Sequence, residues 1–229
     1  MNRKRKPKQE ETQFSNDKMA NRYTPKTENH TKYLESIINN PITLIYGPAG
    51  SGKSAMALSL MCEHLVDGKI DKIIITKPFV ESSPRGLGYL KGDINEKTAP
   101  YLIYFNEYLD FLLGPYQHKV LVGMGKIEVI QIEYIRGRTF NNTYIFGDEF
   151  QNSTKEQCKL LVTRMGMNSK VILAGDPNQT DLIGKSKSGF GDMITKLEDL
   201  DGVGVVKFDR SDIMRNGLLG KILERLEDG

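Results

Sequence analysis

The chain has 229 residues, of which 38% are hydrophobic and 27% are charged, and its formal net charge is +3. These values are ordinary for a globular protein, and a chain of this length can bury a sizeable core. No apolar run approaches the ~20 residues of a membrane helix, and no apolar stretch follows the basic N-terminus, so we expect neither a membrane protein nor a secretory signal.

The first 22 residues are polar and charged, with almost nothing to bury, and they predict a disordered arm that ends before Tyr23. The tip of this arm is basic, since it contains Arg3, Lys4, Arg5, Lys6 and Lys8. Such a tip is either a solvated tail or a segment that contacts phosphates. Residues 23–229 contain no repeat and no second linker, so they predict one domain.

Helices and strands alternate along this domain. The predicted helices span residues 28–39, 53–66, 95–113 and 215–226, and a further helix begins after Thr154, where Gln157 completes a capping-box pattern. The predicted strands span residues 42–46, 72–76, 143–147, 170–174 and 203–208. Residues 114–139 are poorly patterned, and we expect short antiparallel strands around residues 120–122 and 128–130.

Strands separated by helices predict an α/β fold with a mostly parallel sheet and helices on both faces. Ligands in such sheets bind beyond the carboxyl ends of the strands. The chemical motifs of this sequence follow predicted strand ends, which favours one site at that edge.

The two cysteines, Cys62 and Cys158, lie in apolar segments that are predicted to be helical. They lack the spacing of a metal site or a redox pair, which indicates buried, reduced thiols in a cytoplasmic protein. The three histidines are scattered, so a zinc site is not expected.

A complete phosphate-binding loop follows the first predicted strand. Its residues are Gly47, Pro48, Ala49, Gly50, Ser51, Gly52, Lys53 and Ser54. They match G-x-x-x-x-G-K-[ST] between a strand and a helix, where the glycines let backbone N–H groups surround an anion. We expect Lys53 to reach the β- and γ-phosphates of ATP and the Ser54 hydroxyl to bind Mg²⁺.

Two acids follow the strand over residues 143–147. Asp148 is expected to orient Mg²⁺, and Glu149 to act as the general base that polarises the attacking water. Gln151 and Asn152 extend the motif to D-E-x-Q-N.

The next strand end and several arginines supply the remaining candidates. Asp176 and Gln179 follow the strand over residues 170–174, where a polar side chain can reach the γ-phosphate. An arginine is also needed for the charge that develops on the transferred phosphoryl group, and the candidates are Arg136, Arg138 and Arg215.

The order of the motifs resembles that of the PhoH-like ATPases, which are close to the cores of superfamily 1 helicases. The motifs are G-P-A-G-S-G-K-S (47–54), K-P-F-V-E (77–81), L-G-Y-L-K-G-D (87–93), R-G-R-T (136–139), D-E-F-Q-N (148–152), G-D-P-N-Q-T-D-L (175–182) and D-I-M-R (212–215). The resemblance implies a RecA-like core, ATP hydrolysis with Mg²⁺, a cytoplasmic location and a ring-shaped homo-oligomer such as a hexamer. It also implies a role on or near RNA or single-stranded DNA. Compact members of this kind are common in bacteriophages, which suggests a phage-encoded protein in the host cytoplasm.

Two residues depart from the family pattern. His30 stands where the family has a glutamine that reads adenine, and an imidazole cannot reproduce the paired donor and acceptor of an amide. Lys77 replaces an arginine and lacks its planar fork.

Two other functions compete with an ATPase that takes an arginine from a neighbouring subunit. A small-molecule phosphotransferase would share the phosphate loop, although adjacent acids suit water activation better. A nucleotide-gated binding protein with little turnover would share every motif. The aromatic residues Tyr101, Tyr104, Phe105, Tyr108 and Phe111 recur at helical spacing and either stack on bases or pack against the sheet.

Overall fold

A computed structural model describes residues 19–78, 94–179 and 188–214, including the side chains of all these residues except 94–102. The basic tip of the arm and the helix predicted over residues 215–226 lie outside this part of the chain. No helix within the described ranges is long and apolar enough to span a membrane.

Helices and strands alternate as predicted. The helices are α1 (Glu28–Asn39), α2 (Lys53–Val66), α3 (Ile94–Leu113), α4 (Pro115–Gly123), α5 (Lys155–Val162) and α6 (Gly189–Leu197). The strands are β1 (Ile42–Tyr46), β2 (Lys72–Thr76), β3 (Ile127–Val129), β4 (Thr143–Gly147), β5 (Lys170–Gly175) and β6 (Val203–Lys207). The predicted capping box at the start of α5 is confirmed, since the Thr154 and Gln157 side chains each bind the other residue's backbone N–H.

These six strands form one sheet in the order β3-β2-β4-β5-β1-β6, and every pairing between them is parallel. The mostly parallel sheet is thus confirmed. Because parallel strands end at one edge, the segments after β1, β2, β4 and β5 meet there.

Side chains of the central strands alternate between two buried layers, as the two-residue period of a strand requires. The layer against α1, α2 and α3 contains Ile45, Ile73, Ile75, Phe146 and Ile172. The layer against α5 and α6 contains Leu44, Ile74, Ile145, Val171 and Leu173. Cys62 lies in the first layer and Cys158 in the second, and both are buried free thiols as predicted.

The region after α3 differs from the prediction. Residues 115–123 form the helix α4 instead of a strand, because Pro115 occupies its first turn, where a fixed φ suits a helix and no N–H is required. β3 is a strand, but it pairs parallel to β2, with Ile74 opposite Glu128. The antiparallel expectation was wrong because α3 and α4 form a crossover that carries the chain back to the starting edge of the sheet.

α6 was not predicted, because Gly189 and Gly191 lower its helix propensity. Its buried face consists of Phe190, Met193 and Ile194, at the spacing of an amphipathic helix. Gly189 also permits close packing, since a Cβ there would lie 2.5 Å from the Lys155 backbone N.

Packing begins before Tyr23, the residue at which we expected order to begin. The backbone N–H groups of Ala20 and Asn21 donate to the Leu112 carbonyl at 2.8 and 3.2 Å. Arg22 forms an ion pair with Glu63 of α2 at 3.2 Å. These contacts fix the segment before α1 across α2 and α3.

Candidate active site

A cavity of about 680 Å³ lies at the carboxyl edge of the sheet. It brings together most of the site residues that the sequence predicts. Its lining includes Gly50, Gly52, Lys53, Ser54, Lys77, Asp148, Glu149, Gln151, Asp176 and Gln179.

The phosphate loop adopts backbone conformations that demand glycine. Gly47, Gly50 and Gly52 have φ values of 148°, 79° and 87°. A Cβ on Gly47 would lie 2.5 Å from the Phe208 carbonyl oxygen, so the loop and the segment after β6 approach as closely as a glycine allows. Ser51 is fully buried, and its hydroxyl donates to the Pro48 carbonyl at 2.8 Å, which holds the loop closed on itself.

Lys53 begins α2 and curls back over the loop. Its ammonium donates to the Gly47 carbonyl at 2.6 Å and to the Pro48 carbonyl at 2.9 Å. Burial lowers the pKa of Lys53, and this effect outweighs the nearby carboxylates, Asp148 foremost, which raise it. Since phosphate oxygens are charged acceptors, they would bind this ammonium more strongly than neutral carbonyls do.

Ser54 and Asp148 form an oxygen pair suited to a divalent cation. The Ser54 hydroxyl donates to Asp148 Oδ1 at 3.0 Å, although the two residues are 94 positions apart in sequence. Burial, with a smaller contribution from Glu149, raises the pKa of Asp148 to about 6. A hydroxyl and a carboxylate are ligands that Mg²⁺ prefers, so both side chains fit the predicted metal.

Glu149 has a strained backbone and a fixed side chain. Its φ of 53° is in the left-handed region, which is costly for a residue with a Cβ. Its Oε2 accepts a hydrogen bond from Gln151 Nε2 at 2.6 Å. Gln151 Oε1 in turn accepts from the Asp176 backbone N–H at 3.1 Å, which connects the end of β4 to the end of β5.

The end of β5 forms a tight polar turn. Asp176 is buried, and its Oδ1 accepts from the Asn178 backbone N–H at 3.1 Å. The Gln179 backbone N–H donates to the Asp176 carbonyl at 2.9 Å. The turn places Gln179 on the wall of the cavity.

His30 supports the phosphate loop and is fully buried. Its Nε2 lies 2.9 Å from the Ser51 carbonyl, and its Nδ1 accepts from the Lys26 backbone N–H at 3.2 Å. A neutral ring protonated at Nε2 satisfies both contacts. Both ring nitrogens are therefore occupied within the chain, and His30 does not present a free edge to a base.

A polar clasp joins α1 to the segment after β6, and no sequence pattern indicated it. Asp212 is buried and accepts hydrogen bonds from Thr27 Oγ1 at 2.5 Å, Asn29 Nδ2 at 2.9 Å and the Asp209 backbone N–H at 2.9 Å. The Met214 backbone N–H donates to the Gly50 carbonyl at 3.0 Å. Met214 of the D-I-M-R motif thus binds the phosphate loop.

Within the part of the chain that the structure describes, neither of the two candidate arginines, Arg136 and Arg138, lines this cavity. Arg138 lies near the amino ends of β2, β3 and β4, where its Nη2 donates to Glu128 Oε2 at 2.9 Å and its guanidinium lies over the Phe140 ring. Arg138 thus cannot contact a nucleotide at the phosphate loop of its own chain. Arg136 is exposed at the end of a short 3₁₀ helix, and Arg215 lies outside the described residues.

The aromatic residues of α3 divide between packing and the site. Phe105 is buried in the core, and Phe111 lies 5.2 Å from the Tyr23 ring. Tyr104 and Tyr108 line the cavity beside Ser54. The Tyr101 side chain falls outside the described part.

The chain matches a known protein family along most of its length. The profile of the family described as PhoH-like protein matches residues 22–227. The chain belongs to the PhoH-like protein family. This family and the phosphate loop together support nucleotide binding.

Several bacterial relatives are similar along most of the chain. A PhoH-like protein of Synechocystis sp. is 37% identical, covering 88% of this chain and 61% of the relative. A PhoH-like protein of Bacillus subtilis is 38% identical, covering 87% and 62%, and Protein PhoH of Escherichia coli is 36% identical, covering 86% and 56%. The chain therefore spans about three fifths of the length of these relatives. They give no support to a bacteriophage origin, which stays a prediction.

Solved structures share the fold at low identity. The large terminase from a thermophilic bacteriophage is similar with a TM-score of 0.54 and 12% identity, covering 88% of this chain and 50% of the terminase. The same terminase in complex with ADP gives a TM-score of 0.52 at 11% identity, covering the same shares of the two chains. This likeness confirms the predicted RecA-like P-loop NTPase fold.

Proposed function

We propose that this protein is a Mg²⁺-dependent ATP hydrolase. The observation that carries the proposal is the Ser54–Asp148 hydrogen bond of 3.0 Å, which joins the phosphate loop to the acidic strand end. Lys53 and Glu149 line the same cavity. A phosphate-binding group, a pair of metal ligands and a general base are thus within one site, as hydrolysis of a triphosphate requires.

Binding depends on the phosphate loop and on Lys53. Backbone N–H groups of the loop and the N-terminus of α2 would hold the phosphates, and the Lys53 ammonium would exchange its two carbonyl acceptors for β- and γ-phosphate oxygens. Ser54 and Asp148 would hold Mg²⁺, which neutralises charge on the β- and γ-phosphates when bound.

Glu149 would accept a proton from the attacking water while the water oxygen forms its bond to the γ-phosphorus. The bond between that phosphorus and the β,γ-bridging oxygen breaks, and ADP and inorganic phosphate leave. Gln179 on the cavity wall would contact the γ-phosphate and distinguish ATP from ADP.

The test is Glu149→Gln, assayed for ATP binding and for phosphate release with and without Mg²⁺. We expect unchanged binding and a turnover reduced about 10²–10⁴-fold, because an amide is a far weaker base than a carboxylate. Turnover within a few-fold of wild type would mean that another residue activates the water. Transfer of phosphate to a metabolite would favour the phosphotransferase, and wild-type single-turnover hydrolysis that is barely measurable would favour the gated binding protein.

We further propose a homo-oligomeric ring, such as a hexamer, in which a neighbouring subunit supplies the arginine. Among the described residues, Arg22 lines the cavity but forms an ion pair with Glu63 at 3.2 Å, and neither Arg136 nor Arg138 lines it. This arrangement supports an arginine supplied in trans. Arg215 is the preferred residue, with Arg136 and Arg138 in reserve. Mixing Arg215→Ala with Lys53→Ala subunits should restore part of the activity; a fully active monomer would contradict the ring.

Finally, we propose that RNA or single-stranded DNA binds and stimulates hydrolysis. The helicase-like motif order and the basic tip of the arm support this role, and the small net charge implies modest affinity. The affinity for nucleic acid should fall as the salt concentration rises, with a slope of log K against log[salt] of about −0.7 per neutralised phosphate. Removing residues 1–8 should weaken binding without changing basal hydrolysis. Absence of binding at low salt would favour a protein partner instead.

A further inference from the structure

The Gln151 side chain bridges two neighbouring strand ends in the site. It is 3% exposed, and both ends of its amide are engaged. Nε2 donates to Glu149 Oε2 at 2.6 Å, and Oε1 accepts from the Asp176 backbone N–H at 3.1 Å. The amide therefore connects the general base of the proposed reaction to the turn that carries Gln179.

The close approach of β5 to Gln151 keeps this bridge in place. A Cβ on Gly175 would lie 2.7 Å from Gln151 Oε1 and 2.8 Å from its backbone N, so only glycine fits at the end of β5. Gly147 is equally restricted, since a Cβ there would lie 2.3 Å from the buried Phe150 ring. The end of β5 therefore packs directly against Gln151, and the end of β4 packs against the neighbouring Phe150.

Glu149 needs such an external support. Its left-handed backbone is unfavourable for glutamate, and it persists only where the surroundings determine it. The bond from Gln151 to Oε2 fixes the orientation in which the carboxylate would accept the proton of water. A general base must lie within hydrogen-bond reach of that proton, so its orientation controls the rate.

We propose that Gln151 is a positioning residue that orients the Glu149 carboxylate and couples it to the loop after β5. This inference rests on the proposed function. Through Gln151, a shift of the turn at Asp176 moves the carboxylate that activates water. Contact of Gln179 with the γ-phosphate is thereby linked to placement of the base.

The chain contains a matched control for this role. Gln157 in α5 has the same two bonds, since its Oε1 accepts from the Thr154 backbone N–H at 2.9 Å and its Nε2 donates to Glu133 Oε1 at 3.0 Å. It differs by not lining the cavity. The same substitution at the two glutamines therefore removes equivalent bonds inside and outside the site.

The experiment compares Gln151→Met, Gln151→Glu, Gln157→Met and Gln157→Glu in the full chain by Mg²⁺-dependent phosphate release. We expect Gln151→Met to lower kcat about 10–100-fold with KM within about two-fold, because the base is displaced but the phosphate loop is intact. Gln151→Glu keeps the shape and the Asp176 contact but places a carboxylate beside Glu149, so kcat should fall as well. The Gln157 variants should keep kcat within about two-fold. Thermal unfolding of all four variants identifies any loss of fold, and Gln151→Glu remains decisive if Gln151→Met does not fold.

A double-mutant cycle separates positioning from general structural support. If Gln151 acts through Glu149, adding Gln151→Met to Glu149→Gln should cost less than about two-fold beyond Glu149→Gln alone. A folded Gln151→Glu with wild-type kcat, equal losses at Gln157, or fully additive losses in the cycle would overturn the inference and leave the proposed function intact. Full activity of Glu149→Gln would show that another residue activates the water and would also overturn the inference. Absence of Mg²⁺-dependent phosphate release by the wild-type protein would overturn the proposed function itself.

Discussion

Charged side chains have different kinds of partner at the two edges of the sheet. Near the amino ends of β2, β3 and β4, Glu128 forms ion pairs with Lys72 at 2.5 Å and with Arg138 at 2.9 Å. At the carboxyl edge, Lys53 donates to backbone carbonyls and Asp148 accepts from a hydroxyl. Among the described residues, neither forms an ion pair.

This contrast is visible in the acidities of the two carboxyl groups. Burial raises the pKa of Glu128, but hydrogen bonds from Lys72 and Arg138 outweigh it and lower the pKa overall. Burial and Glu149 raise the pKa of Asp148 to about 6. The ion pairs at the amino edge stabilise the fold. At the carboxyl edge, the most favourable partners of Lys53 and Asp148 would be a phosphate and a metal ion.

The largest expected difference between the edges is in nucleotide binding. Lys53→Ala should weaken ATP binding at least ~100-fold, because it removes the mobile charge at the β- and γ-phosphates. Lys72→Ala removes a lysine at the opposite edge, from the start of a strand, and should leave the Kd within about two-fold. Titration with a fluorescent ATP analogue measures both. Unchanged affinity in Lys53→Ala would refute the phosphate-loop assignment.

Alanine substitutions at two glycines with positive φ extend the comparison to the free energy of unfolding. Gly47→Ala forces a Cβ to within 2.5 Å of the Phe208 carbonyl, so we expect a loss of about 1–3 kcal/mol of unfolding free energy and weaker ATP binding. Gly68 has a φ of 70°, but a Cβ added there would meet nothing within 4 Å, so Gly68→Ala should cost only about 1 kcal/mol. Urea unfolding measures both values, and equal losses would show that backbone strain alone sets the cost.

Neutralising one carboxylate at each edge should change stability in opposite directions. Since the pKa of Asp148 in the folded chain lies above its unfolded value, its ionisation costs stability as the pH rises through about 6. Asp148→Asn should therefore stabilise the protein at pH 7.5 by roughly 1–3 kcal/mol, with a smaller gain at pH 5, while abolishing Mg²⁺-dependent turnover. Glu128→Gln loses its partners and should destabilise by about 0.5–1 kcal/mol. Destabilisation by Asp148→Asn at pH 7.5 would contradict this account.

The regular part of the fold was predictable because local signals and burial agree there. β1, β2 and β4 are short runs of mostly β-branched and aromatic residues that are buried on both faces. Lys53 follows a glycine-rich turn, which in this motif precedes a helix. α4 and α6 were missed because Pro115, Gly189 and Gly191 look like breaks in a sequence. In the structure, the proline begins a helix and the glycines admit close packing.

The clustering of the candidate residues was predictable where a sequence motif itself identifies them. Lys53, Ser54, Asp148, Glu149 and Gln179 all line one cavity. The contacts of Asp212 with Thr27 and Asn29 were not predictable, since 183 or more positions separate these partners in sequence and no periodicity connects them. The occupied ring of His30 likewise depends on a tertiary contact with Ser51.

The smallest expected effect is that of Arg138→Ala, and it tests whether the amino edge has any part in catalysis. The Arg138 guanidinium already donates to Glu128 and lies 4.7 Å from the centre of the Phe140 ring. Because Lys72 still pairs with Glu128, the loss of stability should stay below about 1 kcal/mol. ATP affinity and kcat should remain within about two-fold, as measured by the same titration and by phosphate release at protein concentrations that favour assembly. A kcat reduced ~10³-fold with unchanged ATP affinity would instead identify Arg138 as the arginine that acts on a neighbouring subunit, and the amino edge of one subunit would then face the carboxyl edge of the next.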